Sequence, residues 1–168
     1  MKILVFLHGT IIMHKNAKGR TREEIVKQVM EGEKSVRDYF SYSPVGNAVN
    51  KLQTWKNQGA EISYLSSHTN SEDVKADEIV LKKHSFPDGK IYYRKSGEEY
   101  KNVVERIRPF PDVIIEDDCE SIGGEIEMTY PNLKPEIKLK IKSIVVKEFN
   151  GIDRLPDKIS ELLSHQTK

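Results

Sequence analysis

The sequence predicts an α/β protein with a three-layer, Rossmann-like fold: a doubly wound parallel sheet with a small helical cap inserted after the first strand. Short runs that are apolar at every position, rather than at alternate positions, are typical of strands buried on both faces of a parallel sheet. Helix patterns separate these runs, and this alternation implies right-handed crossovers with helices on both sides. A chain of 168 residues fits a single domain over 1–168.

The predicted strands come first because they determine the sheet. Four apolar runs and a weaker fifth qualify: Lys2 to Phe6, Glu61 to Leu65, Asp112 to Ile115, Ser143 to Val146, and the weaker Lys90 to Tyr93. The opening run is interpreted as a buried strand and not as a signal peptide, because no small-residue cleavage site follows it.

Helix signals lie between these strands. Ser43 and Pro44 predict the start of a helix that carries Trp55 on its apolar stripe and ends at Gly59. Capping-box spacing occurs ahead of three further helical patterns: Thr21 with Glu24, Thr69 with Glu72, and Ser96 with Glu99.

Two regions interrupt the alternation. The segment of about 11–43 is too long and too structured for a plain connection, so it is predicted to be the small helical cap. It contains the Thr21 helix and a second predicted helix over Ser35 to Phe40. Region 129–142 allows two interpretations, a Lys-rich edge strand or a short helix after Pro135.

Composition limits the classes of partner. The formal net charge is +1, which provides no overall field toward nucleic acid or a membrane surface. Cys119 is the single cysteine, so no intrachain disulfide can form, and a cytoplasmic location is expected. A small buried residue is the expected role of Cys119, because acidic neighbours disfavour its thiolate.

Polar residues follow the predicted strands, where parallel sheets of this kind bind ligands. Ser66 and Ser67 follow the second strand, and their hydroxyls suit a phosphoryl oxygen. Lys95 precedes a predicted helix N-terminus, a position that favours anions. The run from Glu116 to Glu120 is interpreted either as a metal site or as a solvated, helix-capping loop.

These segments together resemble the motifs of the haloacid-dehalogenase-like hydrolase superfamily. FLHGT, from Phe6 to Thr10, resembles the first motif DxDGT, and Ser66 in YLSS resembles the second. Lys95 resembles the third, and the acidic segment IIEDDCESIGG resembles the fourth. The resemblance extends over nearly the whole chain, with segment 11–43 in the place of the cap.

The resemblance implies a phosphohydrolase-type site that uses Mg²⁺, with Mn²⁺ or Zn²⁺ as other candidate ions. It assigns catalytic roles to His8, Thr10, Ser66 and Lys95, phosphate binding to Gly9, Thr10, Ser66, Ser67, Lys95 and Lys101, and metal binding to Glu116, Asp117 and Asp118. Lys101 is an alternative to Lys95 for the lysine role.

The first motif departs from the family pattern at both aspartates. Phe6 stands at the position of the nucleophile and His8 at that of the acid/base residue, so the aspartyl-phosphate route has no carboxylate. His8 has two open interpretations. It acts as an acid/base or joins Asp117 and Asp118 in a metal site, or it is a turn residue hydrogen-bonded to backbone. Three further histidines have no common metal-ligand spacing and are predicted to make surface or local contacts: His14, His68 and His84.

Three functions remain open from the sequence. The first is binding of a phosphorylated small molecule and a divalent metal with little or no aspartyl-phosphate chemistry. The second is an active metal-dependent phosphatase that uses His8 and the acidic run. The third is a non-enzymatic scaffold that contacts a protein partner or a second copy through the cap, with Tyr39, Phe40 and Tyr42 as candidate contacts.

Overall fold

A computed structural model describes residues 1–119, 121–122 and 125–165. The strands are β1 (Lys2–Phe6), β2 (Ile12–Met13), β3 (Ser43–Pro44), β4 (Glu61–Leu65), β5 (Lys90–Tyr92), β6 (Val113–Asp117), β7 (Ser121–Ile122), β8 (Glu125–Ile126) and β9 (Lys142–Val146). The α-helices are α1 (Arg22–Met30), α2 (Lys34–Arg37), α3 (Ala48–Asn57), α4 (Ser71–Lys83), α5 (Tyr100–Arg106), α6 (Pro135–Lys138) and α7 (Ile159–Leu162). Three short 3-10 helices cover Lys15–Ala17, Tyr39–Ser41 and Tyr130–Asn132.

The central sheet has the strand order β5-β4-β1-β6-β9, and every pair within it is parallel. The register aligns Phe6 with Leu65 and Val5 with Ile115. The carboxyl ends of β1, β4 and β6 therefore meet at one edge of the sheet. The predicted α/β class is confirmed, and all five predicted strands form this sheet.

Both faces of the sheet are buried. Alternate residues of a strand point to opposite faces, so Ile3 and Val5 join one core with α3, α4 and α7. Leu4 and Phe6 join the opposite core with α5 and α6. Trp55 is fully buried, as its place on the α3 stripe predicts, and its indole N–H donates to the carbonyl of Pro156. A strand buried on both faces reads as continuously apolar, which is why the strands were recognisable.

Three helix starts differ from the sequence prediction. Ser43–Pro44 begins no helix; it forms β3, which pairs antiparallel with β2, and α3 begins at Ala48. The N-cap of α4 is Asn70 rather than Thr69, and that of α5 is Glu99 rather than Ser96. Several residues near each start can cap, so backbone direction decides among them.

The insertion (residues 11–43) is helical as predicted, with α1, α2 and two 3-10 helices between β2 and β3. The capping box of Thr21 and Glu24 at α1 is confirmed. Arg22 at the start of α1 pairs through Nε with Oε2 of Glu148, at 2.8 Å, just beyond β9. This ion pair links the insertion to the carboxyl edge of the sheet.

Two remaining expectations are settled by burial and backbone path. Region 129–142 contains α6 after Pro135, so the edge-strand alternative is wrong there. Of the predicted contact residues, Phe40 is exposed, Tyr39 is partly buried and Tyr42 is buried.

Glu120 of the acidic run and the Gly123-Gly124 pair lie outside the described residues. In the described part of the chain no helix is long and apolar enough to span a membrane.

The cap of α4 is testable because this helix positions Asp77. Substitution Asn70→Ala removes the side-chain oxygen that accepts from the Asp73 backbone N–H at 2.9 Å. We expect the free energy of unfolding in urea to fall by about 1 kcal/mol. Thr69→Ala is the matched control, with an expected change within about 0.5 kcal/mol, since Thr69 is exposed and does not cap the helix. A larger loss from Thr69→Ala than from Asn70→Ala would contradict the assignment.

Candidate functional site

A cavity of about 450 Å³ lies at the carboxyl edge of the sheet, beside the insertion. The sheet contributes residues at the ends of five strands: Phe6, His8, Gly9, Ser67, His68, Arg94, Glu116, Asp117, Cys119, Glu148 and Phe149. The insertion contributes the facing wall: Met13, His14, Val29, Gly32, Val36, Arg37, Tyr39 and Tyr42. Tyr100 and Glu127 complete the lining. This is the edge at which open α/β sheets bind ligands.

The end of β1 presents an aromatic ring to the cavity. Phe6 is 7% exposed and packs edge-to-face on Tyr100, with ring centroids 5.0 Å apart and an angle of 72° between the planes. This geometry is a favourable one for aromatic pairs. Phe6 therefore has a packing role in the second core and offers no atom for nucleophilic attack or metal binding.

The tight turn that follows β1 in the chain contacts the end of β6. Gly9 has φ +81°, a conformation that favours glycine, and a Cβ there would crowd Oδ2 of Asp117 at 3.1 Å. Thr10 is fully buried and donates its hydroxyl to the same Oδ2 at 2.6 Å. Thr10 thus fixes the position of Asp117.

His8 belongs to a network of polar side chains on the β4 side of the cavity. Its Nδ1 lies 2.6 Å from the hydroxyl of Ser67, and its Nε2 lies 3.0 Å from Oδ1 of Asp77. Ser66 donates its hydroxyl to Oδ2 of Asp77 at 2.6 Å and accepts from the backbone N–H of His68 at 3.1 Å. Both hydroxyls and the imidazole are thus organised around one carboxylate.

Asp77 and His68 are the buried ionisable groups of this network. Burial alone would raise the pKa of Asp77, but His8 and the Ser66 hydroxyl hold it below its ordinary value. Burial lowers the pKa of His68, which favours its neutral imidazole. Nε2 of His68 is buried and has no hydrogen-bond partner among the residues that the structure describes.

Arg94 is the cation at the end of β5. It is 8% exposed, and its guanidinium lies over the Tyr100 ring with 4.0 Å from Cζ to the centroid. It also donates to the carbonyl of Ser67 at 3.3 Å. Stacking and hydrogen bonding hold the guanidinium in a fixed orientation at the cavity wall.

The acidic run divides into residues with different surroundings. Glu116 is buried and accepts backbone N–H groups from Thr129 and Tyr130, at 2.6 and 3.0 Å. Asp118 lies away from the cavity lining and pairs with Lys147 at 2.6 Å. Asp117 remains at the cavity.

Asp117 has two other potential ligands beside it. Donor atoms of Asp117, Cys119 and Glu148 all lie within 4.8 Å of one another, and all three residues are buried. Burial, reinforced by the charges of Glu148 and Glu116, raises the pKa of Asp117 to about 7, although the Thr10 hydroxyl and the Cys119 N–H oppose the shift. Burial likewise raises the pKa of Cys119, so its thiol is protonated near neutral pH.

Solved structures of other proteins resemble this chain along nearly its whole length. Over 96% of this chain and 75% of the other, the structure matches a class C acid phosphatase from Bacillus anthracis with a TM-score of 0.55 and 13% identity. A protein from Thermotoga maritima described as a beta-phosphoglucomutase matches over 97% of this chain and 96% of the other, with a TM-score of 0.44 and 13% identity. The chain therefore shares its fold with this class C acid phosphatase. No protein-family model matches the sequence, and no curated protein matches it significantly.

The structure separates the predicted lysines from the cavity. Lys95 is exposed and is not among the cavity residues. Lys101 pairs with Glu99 at 2.6 Å and does not line the cavity either. The chain turns after β5, so that Arg94 faces inward and Lys95 faces solvent. Neither lysine of the phosphate-binding prediction therefore reaches the cavity, where Arg94 and Arg37 are the lining cations.

Other predicted residues are present but have different partners. Ser66 is fully buried behind the lining, whereas Ser67 reaches the cavity. His8 bonds to the Ser67 hydroxyl and to Asp77, and its Nδ1 also accepts from the backbone N–H of Ser67 at 3.4 Å, as the backbone-bonded interpretation predicts. Its hydrogen-bond partners among the described residues do not include Asp117 or Asp118.

Three residues at or beside the cavity were missed by sequence reasoning. Asp77 interrupts the apolar stripe of α4 between Val74 and Val80, and a carboxylate at a core position is a signal that was available. His14 and His68 line the cavity, so a surface location is wrong for both; His14 bonds to Gln28 at 2.9 Å. His84 makes the predicted local contact, with the Tyr42 carbonyl at 3.2 Å.

The raised pKa of Asp117 predicts a specific pH dependence of stability. Between the ordinary value of 3.8 and about 7, the folded protein holds a proton that the unfolded chain has released. The stability contributed by this group is present below pH 4 and is lost as pH rises through 7. The difference in unfolding free energy between native protein and Asp117→Asn should therefore fall across this window, by no more than about 1.4 kcal/mol per pH unit.

Urea denaturation with a metal chelator present measures this difference. Asp118→Asn is the contrasting control, because Lys147 holds the pKa of Asp118 below its ordinary value despite partial burial. Its contribution has the opposite sign, present above pH 4 and lost on acidification. A flat difference curve for Asp117→Asn between pH 4 and 7 would contradict the assigned protonation.

Proposed function

We propose that the protein binds a phosphorylated small molecule in the cavity and does not use aspartyl-phosphate chemistry. The observation that carries this proposal is the combination of Phe6 and Arg94 at one edge of a haloacid-dehalogenase-type sheet. Phe6 occupies the position at which the resemblance requires a nucleophilic carboxylate. Arg94 supplies a fixed cation beside it.

The polar half of the cavity suits an anionic group. The guanidinium of Arg94 offers planar, paired N–H donors, a geometry that matches phosphate oxygens. His8, His68 and Ser67 lie next to it, and the exposed Arg37 enters from the insertion. The insertion thus has the place of a cap that covers a ligand, as the sequence resemblance implies.

The acidic half fits a divalent cation such as Mg²⁺, which proteins bind through one or two carboxylates plus phosphate oxygens of the ligand. Asp117 and Glu148 would supply the protein oxygens. Asp117 and Glu148 would hold the ion, which would supply charge neutralisation for these buried carboxylates and for an anionic ligand. The residues of the chain would orient the ligand, and Phe6 would exclude water from the end of β1.

Two alternative functions that the sequence leaves open, a phosphatase and a protein-interaction scaffold, predict different experimental results from the binding proposal. A metal-dependent phosphatase requires turnover, whereas the binding proposal does not. A protein-interaction scaffold requires no small ligand, so neither phosphate compounds nor Mg²⁺ would raise its melting temperature. Phe40 and Met30, both exposed on the insertion, are the apolar residues available to such a partner.

Binding is tested by the melting temperature of native protein with inorganic phosphate and a panel of sugar and nucleoside phosphates. We expect at least one compound to raise it, and to raise it further with Mg²⁺. Arg94→Met retains much of the packing on Tyr100 but lacks the charge, and should bind about 10- to 100-fold more weakly. Arg154→Met is the control, since Arg154 is exposed and outside the cavity lining. An equal loss in both variants, or no response in native protein, would contradict the proposal.

The absence of covalent chemistry is tested with an aryl phosphate in the presence of Mg²⁺, Mn²⁺ or Zn²⁺. We expect hydrolysis by native protein to be indistinguishable from that of the protein-free control, because no carboxylate stands at the end of β1. Asp117→Asn is measured in parallel. Strong native activity that this substitution abolishes would favour the phosphatase alternative instead.

A further inference from the structure

We propose that His8, His68 and Asp77 form a binding site for a first-row transition-metal ion, with Zn²⁺ as the best match. The site lies on the β4 side of the cavity and shares no residue with the acidic group of Asp117 and Glu148. It does not depend on the proposed phosphate ligand.

The spacing of the donor atoms suits a tetrahedral ion. Nε2 of His8 lies 3.0 Å from Oδ1 of Asp77, and Nε2 of His68 lies 3.7 Å from the same oxygen. The potential ligand atoms of the three residues all lie within 4.8 Å of one another. Zinc bonds of about 2.0–2.1 Å in a tetrahedron separate the ligand atoms by about 3.3 Å. Modest side-chain rotations therefore convert the hydrogen-bonded group into a metal site.

His68 gives the group a donor that hydrogen bonding leaves unused. Its side chain is 10% exposed, and Nε2 is buried without a hydrogen-bond partner among the described residues. Buried polar atoms in folded proteins are nearly always paired, and an unpaired one needs an explanation. A metal ion at the centre of the group uses this lone pair.

Two serines orient the other ligands. Metal binding through Nε2 of His8 requires the proton on Nδ1, where it donates to the Ser67 hydroxyl 2.6 Å away. In that tautomer the ion replaces the Nε2 contact with Asp77, and the 3.4 Å contact from the Ser67 backbone N–H to Nδ1 is given up. Ser66 donates to Oδ2 of Asp77, which leaves Oδ1 for the ion. Outer partners of this kind are typical of metal sites, where they fix the tautomer and the direction of each ligand.

The ligand types select the class of ion. Two imidazoles and one carboxylate suit Zn²⁺ and its transition-metal neighbours, whereas Mg²⁺ and Ca²⁺ prefer all-oxygen sites. Three protein ligands leave one tetrahedral position open. His8 and His68 line the cavity, so this position faces it and accepts an oxygen of water or of an anionic ligand.

The same hydrogen bonds invite comparison with a serine nucleophile activated by an imidazole and a carboxylate. Ser67, His8 and Asp77 have the required order of contacts. That interpretation gives no role to Nε2 of His68, although it is buried beside Asp77. A metal site gives a role to each of the three polar residues beside the Asp77 carboxylate, which are His8, His68 and Ser66.

The test is a competition titration of the metal-free full chain with Zn²⁺ against a chromophoric chelator. We expect one Zn²⁺ per chain, and Co²⁺ in its place should show the strong visible absorption of tetrahedral coordination. Loss of an outer partner weakens metal binding about 10- to 100-fold, so Ser67→Ala should fall in that range, and loss of a ligand in His68→Ala should cost about 100-fold or more.

Matched variants separate this site from other histidines and from the acidic group. His84→Gln should bind as native protein does, because His84 does not line the cavity and its Nε2 donates to the carbonyl of Tyr42. Asp117→Asn and Cys119→Ser should also retain the ion. His68→Ala is the primary variant because Nε2 has no hydrogen bond to lose, and circular dichroism of the metal-free variant verifies its fold.

Two results would overturn the proposal. One is the absence of stoichiometric Zn²⁺ binding by native protein. The other is binding that His68→Ala leaves unchanged and that Asp117→Asn or Cys119→Ser abolishes, which would place the ion at the acidic group. The melting-temperature tests with phosphate compounds and Mg²⁺ use no Zn²⁺, so failure of the metal site and failure of the phosphate proposal are distinguishable.

Discussion

Parallel pairing of β1 with both β4 and β6 is the constraint on which the rest of the structure depends. It buries β1 on both faces and along both edges, and it brings three strand ends together where the backbone leaves the sheet. The side chains that follow those strand ends therefore lie close together. Gly9, Thr10, Ser67 and Asp117 are neighbours for this reason, although they are distant in sequence.

The cavity at these strand ends has two sides with different charge. On the β4 and β5 side, the imidazoles of His8 and His68 and the Ser66 hydroxyl stabilise the charge of Asp77. Arg94 lies at the same side of the cavity and donates to the Ser67 carbonyl. On the β6 and β9 side, burial, reinforced by the charges of Glu148 and Glu116, raises the pKa of Asp117 to about 7. A ligand with a phosphate group, together with a cation, would complement both halves. The division gives the proposed function a physical basis that fold likeness alone does not provide.

Phe6 illustrates how one residue alters chemistry without altering architecture. Its ring fills the second core against Tyr100, so the end of β1 is stabilised by packing instead of by the polar contacts of a carboxylate. The neighbouring strand ends keep their positions because backbone pairing, not the residue at this site, holds them. The polar residues at the neighbouring strand ends can therefore keep their positions around Phe6, which has no atom for nucleophilic attack.

The sequence by itself determined the fold class, the five sheet strands and the helical character of the insertion, because these follow from local periodicity and burial. It also identified Gly9, Thr10, Ser67 and Asp117 as residues near the site, since each follows or ends a buried strand.

Only the tertiary structure decided which neighbouring residue faces inward. Arg94 rather than Lys95 lines the cavity, and Asp77 of α4 is the partner of His8. The direction of a chain after a strand, and the contact of a helix with a distant turn, depend on packing among elements far apart in sequence. No local pattern carries that information, and for this reason the cluster of His8, His68 and Asp77 appears only once the chain is folded.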